Sequence, residues 1–368
     1  MSKPIYVSYS AAARFKSCPQ KYYLSKRFQD RRISSALPFG KAVEMGVSAL
    51  LEGKDLQFAQ DVFQQHWTQE HLKGNDYRQI FDNLDLQFYA SDFDKNLFTH
   101  EDEAQLDGWA EELLEERSRS WLEVFDDINT QIKDDREVSD AQLAFYNRVI
   151  WSCCRIRGIV MLDAFNREIL PQIDLTRKEH FSAQREISMT NEEGDRIVGY
   201  IDYVVFMKDH GWVILDLKTA GMSYNMHKID TSEQLRTYVA AIGDEIGSRK
   251  AGYAVLLKKV KLDKVCNKCG AEKQGMAKKC KSEGCDGEYS KATPRGETQL
   301  LIKDFKDEEL DDILEDYMNV AVAMKNEVNF KNTESCFAFG RKCEYYDHCW
   351  KRKQLEEIGH LEPKEKKE

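Results

Sequence analysis

Gly199-Tyr200-Ile201-Asp202-Tyr203-Val204-Val205-Phe206 and Trp212-Val213-Ile214-Leu215-Asp216-Leu217-Lys218-Thr219 are two β-rich runs separated by a turn at Lys208–Gly211. Such a pattern reads as a hairpin. Asp202 falls at the start of its first strand, and Asp216 and Lys218 near the end of its second. Strand side chains alternate between faces, so Asp216 and Lys218 share one face and Leu215, Leu217 and Thr219 take the other. Two acids and a lysine on an apolar hairpin are costly to bury without partners. A divalent cation balances the acids, and the lysine can face a phosphate. Downstream, Gln234 and Tyr238 are four residues apart in a helix-like run from Ser232 to Ile242, and share a face.

Working outward, the chain of 368 residues is large enough for one domain with inserts, and its 42% hydrophobic content supports a real core. No apolar run reaches the roughly 20 residues needed to span a bilayer. The opening Met-Ser-Lys-Pro-Ile-Tyr lacks the apolar region of a signal peptide. The expectation is a soluble protein of the cytoplasm, in a bacterial or phage-infected cell, with no membrane partner. A net charge of −10 argues mildly against nucleic-acid binding, but a cleft focuses its own potential whatever the total. Acidity concentrates in Asp76–Asp135 and Asp304–Glu315, whereas Arg249–Lys281 is strongly basic.

Ahead of the hairpin, Ser8 or Ser10 is a candidate N-cap for a first helix that Pro19 interrupts, holding Cys18 at a helix junction. Pro38-Phe39-Gly40 opens a helix over Lys41–Leu51 that carries Glu44 among small and apolar neighbours. Residues 55–175 read as helices, with Trp67, Leu84, Phe88, Trp109, Leu113, Leu114, Trp121 and Phe125 at helical intervals, read as core. Val149–Phe165 is the most apolar part, and Cys153 and Cys154 read as small packing residues. His180–Met189, Tyr253–Val260 and Gln299–Phe305 read as strands, Lys218–Ser232 as a mobile loop, and Lys306–Glu327 as an amphipathic helix. No internal repeat and no Gly-x-x-x-x-Gly-Lys-Ser/Thr loop is present, which argues against an ATP motor.

The chemistry this layout points to is phosphodiester cleavage. That reaction needs an activated water, neutralised charge on the phosphorane and a stabilised leaving oxygen. One or two Mg²⁺ or Mn²⁺ ions on hard oxygen ligands supply all three. Glu44, Asp202 and Asp216 offer carboxylates, the Leu217 carbonyl a further oxygen, and Lys218 a cation for the water and phosphate.

Ten cysteines in an intracellular chain are better read as metal ligands than as disulfides. Cys266-x2-Cys269-x10-Cys280-x4-Cys285, with Gly270, Gly284 and Gly287 close by, reads as a zinc ribbon. A small polar insert needs such a staple to fold, and its lysines suit a nucleic-acid backbone or a docking partner. Cys336, Cys343 and Cys349 near the C-terminus plus Cys18 make four thiolates, the ligand count of a [4Fe–4S] cluster, with zinc as the rival and His348 as a substitute ligand.

Gly199-x-Ile201-Asp202, Asp216-x-Lys218 and Gln234-x-x-x-Tyr238, with Val7-Ser8-Tyr9-Ser10 and Phe15-Lys16-Ser17-Cys18-Pro19-Gln20-Lys21-Tyr22-Tyr23-Leu24, resemble the RecB-type branch of the PD-(D/E)xK nuclease superfamily. Similar proteins include the nuclease domains of RecB and AddB, CRISPR-adaptation nucleases and phage recombination exonucleases. The resemblance implies an α/β restriction-endonuclease-like core, a mixed sheet flanked by helices, with Gln234 and Tyr238 holding substrate or orienting the site. Glu44 stands where many members have a metal-binding His. The iron–sulfur branch likewise has one early and three late cysteines, though with a tighter first late gap than the x6 here.

The layout expected is an N-terminal helical part with Cys18 (1–54), a helical insert (55–175), the catalytic sheet and helix (176–262), the zinc ribbon (263–292), a C-terminal strand, helix and cysteine cluster (293–355), and a disordered tail (356–368). The expected function is a metal-dependent deoxyribonuclease, an exonuclease on single-stranded or end-containing DNA in recombination, repair or phage and CRISPR processing. The rivals are a structure-specific endonuclease and a DNA-binding nuclease-fold subunit of a helicase–nuclease or CRISPR-type complex. The acidic insert is a candidate docking face for a helicase or recombination partner.

Overall fold

The computed structural model describes residues 6–30, 36–68, 100–114, 120–134, 136–190, 194–263, 266–269, 271, 278–289, 293–340, 342–359 and 361–364. Its elements run β1 (Tyr6–Ser8), α1 (Tyr9–Ser17), α2 (Pro19–Arg27), β2 (Phe28–Asp30), α3 (Ala36–Leu51), α4 (Leu56–His66), α5 (His100–Leu114), α6 (Trp121–Lys133) and α7 (Asp140–Glu168). They continue with β3 (Ser182–Thr190), β4 (Arg196–Met207), β5 (Gly211–Ala220), α8 (Met226–Asp230), α9 (Glu233–Ile246), β6 (Lys250–Asp263), β7 (Thr293–Asp304), α10 (Glu308–Lys325), α11 (Tyr346–Cys349), α12 (Leu355–Ile358) and β8 (Leu361–Pro363).

β4 and β5 form the hairpin anticipated from alternating apolar residues, in antiparallel register from Tyr203 opposite Leu215 to Met207 opposite Gly211. β6 joins β5 in parallel, reached through α9, and β7 returns antiparallel to β6. β3 pairs antiparallel along one edge of β4. On its other edge β4 is shared: β1 pairs in parallel with Arg196–Val198, and β5 pairs from Tyr203 onward. Among the described residues no strand pairs with Gly199–Asp202 on that edge. The mixed sheet therefore splits at the Gly199-x-Ile201-Asp202 run, and side chains must satisfy the backbone groups left there.

One sheet face carries Tyr203, Val205, Val213, Leu215, Ala254 and Leu256 into a core built with α3, α4, α5, α6 and α7. α4 crosses α7 where Gly158 leaves room for the Phe63 ring; a Cβ there would sit 2.0 Å from a ring carbon. Trp67 and Trp151 exchange indole N–H to backbone carbonyl bonds at 3.2 and 3.1 Å, tying the same pair of helices. The opposite face carries Val204, Ile214, Val255 and Leu257 against Leu235, Val239 and Ile242 of α9. A third cluster packs Val7 and Phe15 against Tyr317 and Ala321 of α10.

Several expectations need correction. Asp202 lies in the middle of β4, because the strand begins at Arg196, six residues earlier. α3 begins at Ala36 rather than Lys41. The stretch read as a mobile loop from Lys218 to Ser232 contains the end of β5 and a short helix, α8, which Asn225 caps by accepting from the Lys228 N–H at 3.1 Å. The tail read as disordered from 356 includes the end of α12 and β8, which pairs antiparallel with β2, Leu361 opposite Asp30. Leu84 and Phe88 lie outside the described residues, as do 365–368.

Candidate active site and metal centres

The split in the sheet organises the first site. Asp202 sends its carboxylate across the gap, and Oδ2 accepts the Leu217 backbone N–H at 2.9 Å. Tyr238, from α9, donates its hydroxyl to the Tyr200 carbonyl at 2.7 Å. Each bond takes up a backbone group where β4 and β5 no longer form a ladder. Ser232 caps α9 by accepting the Leu235 N–H at 3.1 Å, which sets the phase of Gln234 and Tyr238 on the face toward β5. Gln234 donates to Asp216 Oδ1 and to the Tyr238 hydroxyl, both at 2.8 Å.

Asp216 is 1% exposed. Its Oδ2 is held by the Lys218 ammonium in an ion pair. Burial pushes this carboxyl up to about 7 even though Lys218 pulls it down; the negative charges of Asp202 and Glu44 add to the rise. Glu44 projects from α3 toward the same place. Its carboxyl is raised by burial and by Asp202, against a salt bridge from Lys41 at 2.9 Å. Tyr203 fixes the α3 backbone here, its hydroxyl donating to the Glu44 carbonyl at 3.0 Å and lying 2.9 Å from Ser48 Oγ.

Glu44 lines a cleft of about 530 Å³ with Leu37, Gly40, Lys41, Leu217, Lys218, Thr219 and Lys258, and the three acids lie close enough to act on one another's charge. They do not close to the spacing at which the four ribbon sulfurs stand; the Lys218 ammonium holds the Asp216 oxygen instead. A carboxyl raised by burial, and further by neighbouring acids, is a group that a hard cation satisfies as an ammonium does. Carboxylate oxygens are the donors a hard divalent ion takes, so these acids are candidate ligands.

Gln184 had no sequence signal and was missed. It sits on β3 at φ +52°, in the left-handed region rarely used by side-chain-bearing residues, and its amide reaches Asp202 Oδ1 at 3.4 Å. It also helps hold the Glu44 carboxyl down by a hydrogen bond. Glu186, on the same strand, accepts from the exposed Tyr200 hydroxyl at 3.3 Å.

The second centre hangs from the β6–β7 hairpin beyond Asp263 opposite Thr293. The ligand atoms of Cys266, Cys269, Cys280 and Cys285 all lie within 4.8 Å of one another. Cys266 and Cys285 sulfurs are 3.6 Å apart, and those of Cys269 and Cys280 3.5 Å. A tetrahedron of zinc–thiolate bonds about 2.3 Å long has edges of about 3.8 Å, so the set fits such an ion. Gly287 is required at its position, since a Cβ would lie 2.5 Å from Cys266 Sγ. The Ser282 hydroxyl and N–H bring the Cys280 thiol down to about 6, favouring the ligating thiolate.

The third group joins distant segments. Cys18, Cys336, Cys343 and Cys349 line one small cavity together with Leu24, Tyr345 and Trp350. Trp350 Nε1 donates to Cys336 Sγ at 3.2 Å, and the Asn332 N–H points at Cys18 Sγ at 3.5 Å. The 310 turn Glu334–Gly340 carries Cys336, whose carbonyl accepts the Cys343 N–H at 2.7 Å. The longer first gap is thus folded back on itself. The cavity thus gathers the four thiols from the two ends of the chain, with N–H donors aimed at two of them. His348 lies elsewhere, its Nδ1 3.2 Å from the Lys353 carbonyl and its ring edge-on to Phe28.

No helix among the described residues is long and apolar enough to cross a membrane. A family model described as the PD-(D/E)XK nuclease superfamily matches residues 6–350. No curated protein matches the chain.

Proposed function

Because the chain belongs to the PD-(D/E)XK nuclease superfamily, whose members hydrolyse phosphodiesters with divalent metals, we propose that it is a Mg²⁺- or Mn²⁺-dependent deoxyribonuclease of the RecB-like branch. We assign it to single-stranded or end-containing DNA, as an exonuclease in recombination, repair or phage and CRISPR processing. The observation that carries the reading is the nearly fully buried Asp216, ion-paired with Lys218, beside Asp202 on the split strand.

Glu44, Asp202, Asp216 and the Leu217 carbonyl are the proposed ligands. A hard cation bound there supplies Lewis acidity, lowering the pKa of a water and offsetting charge on the phosphorane. Gln234 fixes Asp216 through Oδ1, which leaves Oδ2 to the Lys218 ammonium. Tyr238 fixes Gln234 and the Tyr200 carbonyl together, so the two strands hold one relative position. Lys218, released from Asp216, is free to orient the attacking water and the phosphate.

The four-sulfur set of the ribbon is assigned to Zn²⁺, and the Cys18 set to a [4Fe–4S] cluster that ties the two ends of the domain. A helicase or recombination protein is the proposed partner, and the cytoplasm the proposed compartment.

The test is digestion of end-labelled linear and closed circular single-stranded DNA with Mg²⁺, with Mn²⁺ and with chelator. Metal-dependent loss of the linear substrate alone supports the reading. Cutting of the circle makes the protein an endonuclease. Wild-type cutting by Asp216→Ala in Mg²⁺ refutes the assigned centre.

A further inference from the structure

Resting on the nuclease reading, we propose that Tyr200 is a specificity-determining residue: its phenol ring stacks on the base of a nucleotide flanking the scissile phosphate, which selects DNA whose bases are unpaired. In the Gly199-x-Ile201-Asp202 run it occupies the position that carries no signal of its own.

The strand itself aims the ring. Ile197 and Ile201 point to the side of α9 and α10. So does Gly199, where a Cβ would lie 3.4 Å from Ile187 and 3.6 Å from the Tyr238 ring. Alternation turns Tyr200 the other way, toward the side of α3, which carries Glu44. From Tyr203 on it is Tyr203, Val205 and Met207 that enter the core shared with α3. β4 therefore changes face at Asp202, opposite Gln184 with its φ of +52°. Tyr200 and Asp202 thus come to lie on one side of the strand, about 7 Å apart along it.

The register sets its level along the sheet. Tyr203 pairs with Leu215. Three residues back on β4 and three on along β5, the same antiparallel register brings Tyr200 level with Lys218 across the gap. A base lying on Tyr200 thus belongs to a nucleotide at the phosphate assigned to Lys218.

The ring is both open and held. Tyr200 is 57% exposed, although Ile201 and Tyr203 beside it are buried. Its carbonyl accepts the Tyr238 hydroxyl at 2.7 Å, and its own hydroxyl donates to Glu186 Oε2 at 3.3 Å. A ring fixed in this way offers its face at little cost in conformational entropy. Glu186 decides between base and phosphate. Its exposed carboxylate, on the residue opposite Tyr200, repels a phosphate, whereas the face of a base carries no net charge. Stacking on an aromatic ring tolerates any base, because every base has a π-face. Inside a duplex both faces are covered by neighbours, so only an unstacked base can reach the ring.

The test uses the full chain with Asp216→Ala, so that binding is read without cleavage. Affinity for a labelled single-stranded DNA oligonucleotide is measured against salt concentration. The intact strand is compared with a series in which one abasic site is moved along it. Adding Tyr200→Ala should weaken binding of the intact strand about tenfold and leave the slope of log K against log salt unchanged, since no phosphate contact is lost. Tyr200→Phe, which keeps the ring, should stay within about twofold of the parent. At one position of the series the abasic site should weaken the parent about tenfold and the Tyr200→Ala protein less than about twofold. An unchanged affinity of Tyr200→Ala overturns the proposal, as does a parent that binds no single-stranded DNA. Equal weakening by Tyr200→Phe also overturns it, because that marks the bond to Glu186 rather than the ring. So does a Tyr200→Ala protein as sensitive as the parent at every abasic position. Should Tyr200→Ala lower the melting temperature markedly, Tyr200→Val, which suits a strand, is read by the same criteria. Failure of the wild-type protein to cut DNA in Mg²⁺ or Mn²⁺ sinks the nuclease reading by a separate measurement, since the binding comparison needs no cutting.

Discussion

Asp202 Oδ2 accepts the Leu217 backbone N–H at 2.9 Å, so a side chain of β4 replaces a ladder bond that the strand itself no longer makes to β5. The same carboxylate is assigned to a metal, which gives it a structural and a chemical duty that substitutions can separate. Asp202→Asn keeps an acceptor for Leu217 and should leave the melting temperature near that of the wild type, yet reduce cleavage at least a hundredfold. Asp202→Ala removes the acceptor as well and should cost about 1–2 kcal/mol of stability in urea titration. Equal stability losses from both would show that the charge, not the acceptor, holds the gap.

Tyr238 is the keystone between α9 and the split strand, through the Tyr200 carbonyl and Gln234. Tyr238→Phe keeps the ring and should cost about 1 kcal/mol of stability, the usual size for one hydrogen bond. Because it also frees Gln234, cleavage should fall by about tenfold, the price in rate of roughly 1.4 kcal/mol. Denaturant titration and single-turnover rates on the same preparation check both.

The two cysteine sets should respond differently to substitution. Cys280→Ser should remove one zinc equivalent by elemental analysis and unfold only the ribbon, leaving near-native far-UV dichroism, because the set lies outside the main cores. Cys18→Ser should abolish visible absorbance of protein purified without air, and also lower the melting temperature. A colourless wild-type protein carrying zinc at both sets would defeat the iron assignment.

The ribbon hairpin is moored to α7 at Glu168, whose carboxylate accepts from the Thr298 hydroxyl at 2.8 Å and the Thr298 N–H at 3.1 Å. Burial raises this acid, but Thr298 and Arg167 more than offset it, so its folded pKa lies below the ordinary 4.5. The stabilisation is complete above that unfolded value and is lost as pH falls through the folded one. Glu168→Gln should therefore cost about 1 kcal/mol at neutral pH, with the difference from wild type shrinking as the pH drops below 4.5. A pH-independent difference would show that the charge plays no part.

What was legible in the sequence is what is local. The β4–β5 hairpin, the helix starting at Ser232, the face shared by Gln234 and Tyr238 and the spacing of the ribbon cysteines each depend on neighbours a few residues away. Gln184 was hidden because its role comes from a left-handed backbone opposite Asp202, 18 positions on. α8 was missed because five residues are too few to show a helical period. β8 was missed because its three residues become a strand only beside β2, and the charges after Pro363 suggested disorder.

The cavity shared by Cys18 and the late cysteines has a consequence for the order of events during biosynthesis. Cys18 emerges from the ribosome 318 residues before Cys336, the first of its companions. Until then Leu24 and Phe28, which pack against Tyr345 and Leu361, have nothing to cover them. A chain cut short by a premature stop or a protease displays that greasy surface, an invitation to chaperones and degradation. The clasp thus doubles as a proofreading step, passed only by chains translated through to their far cysteines.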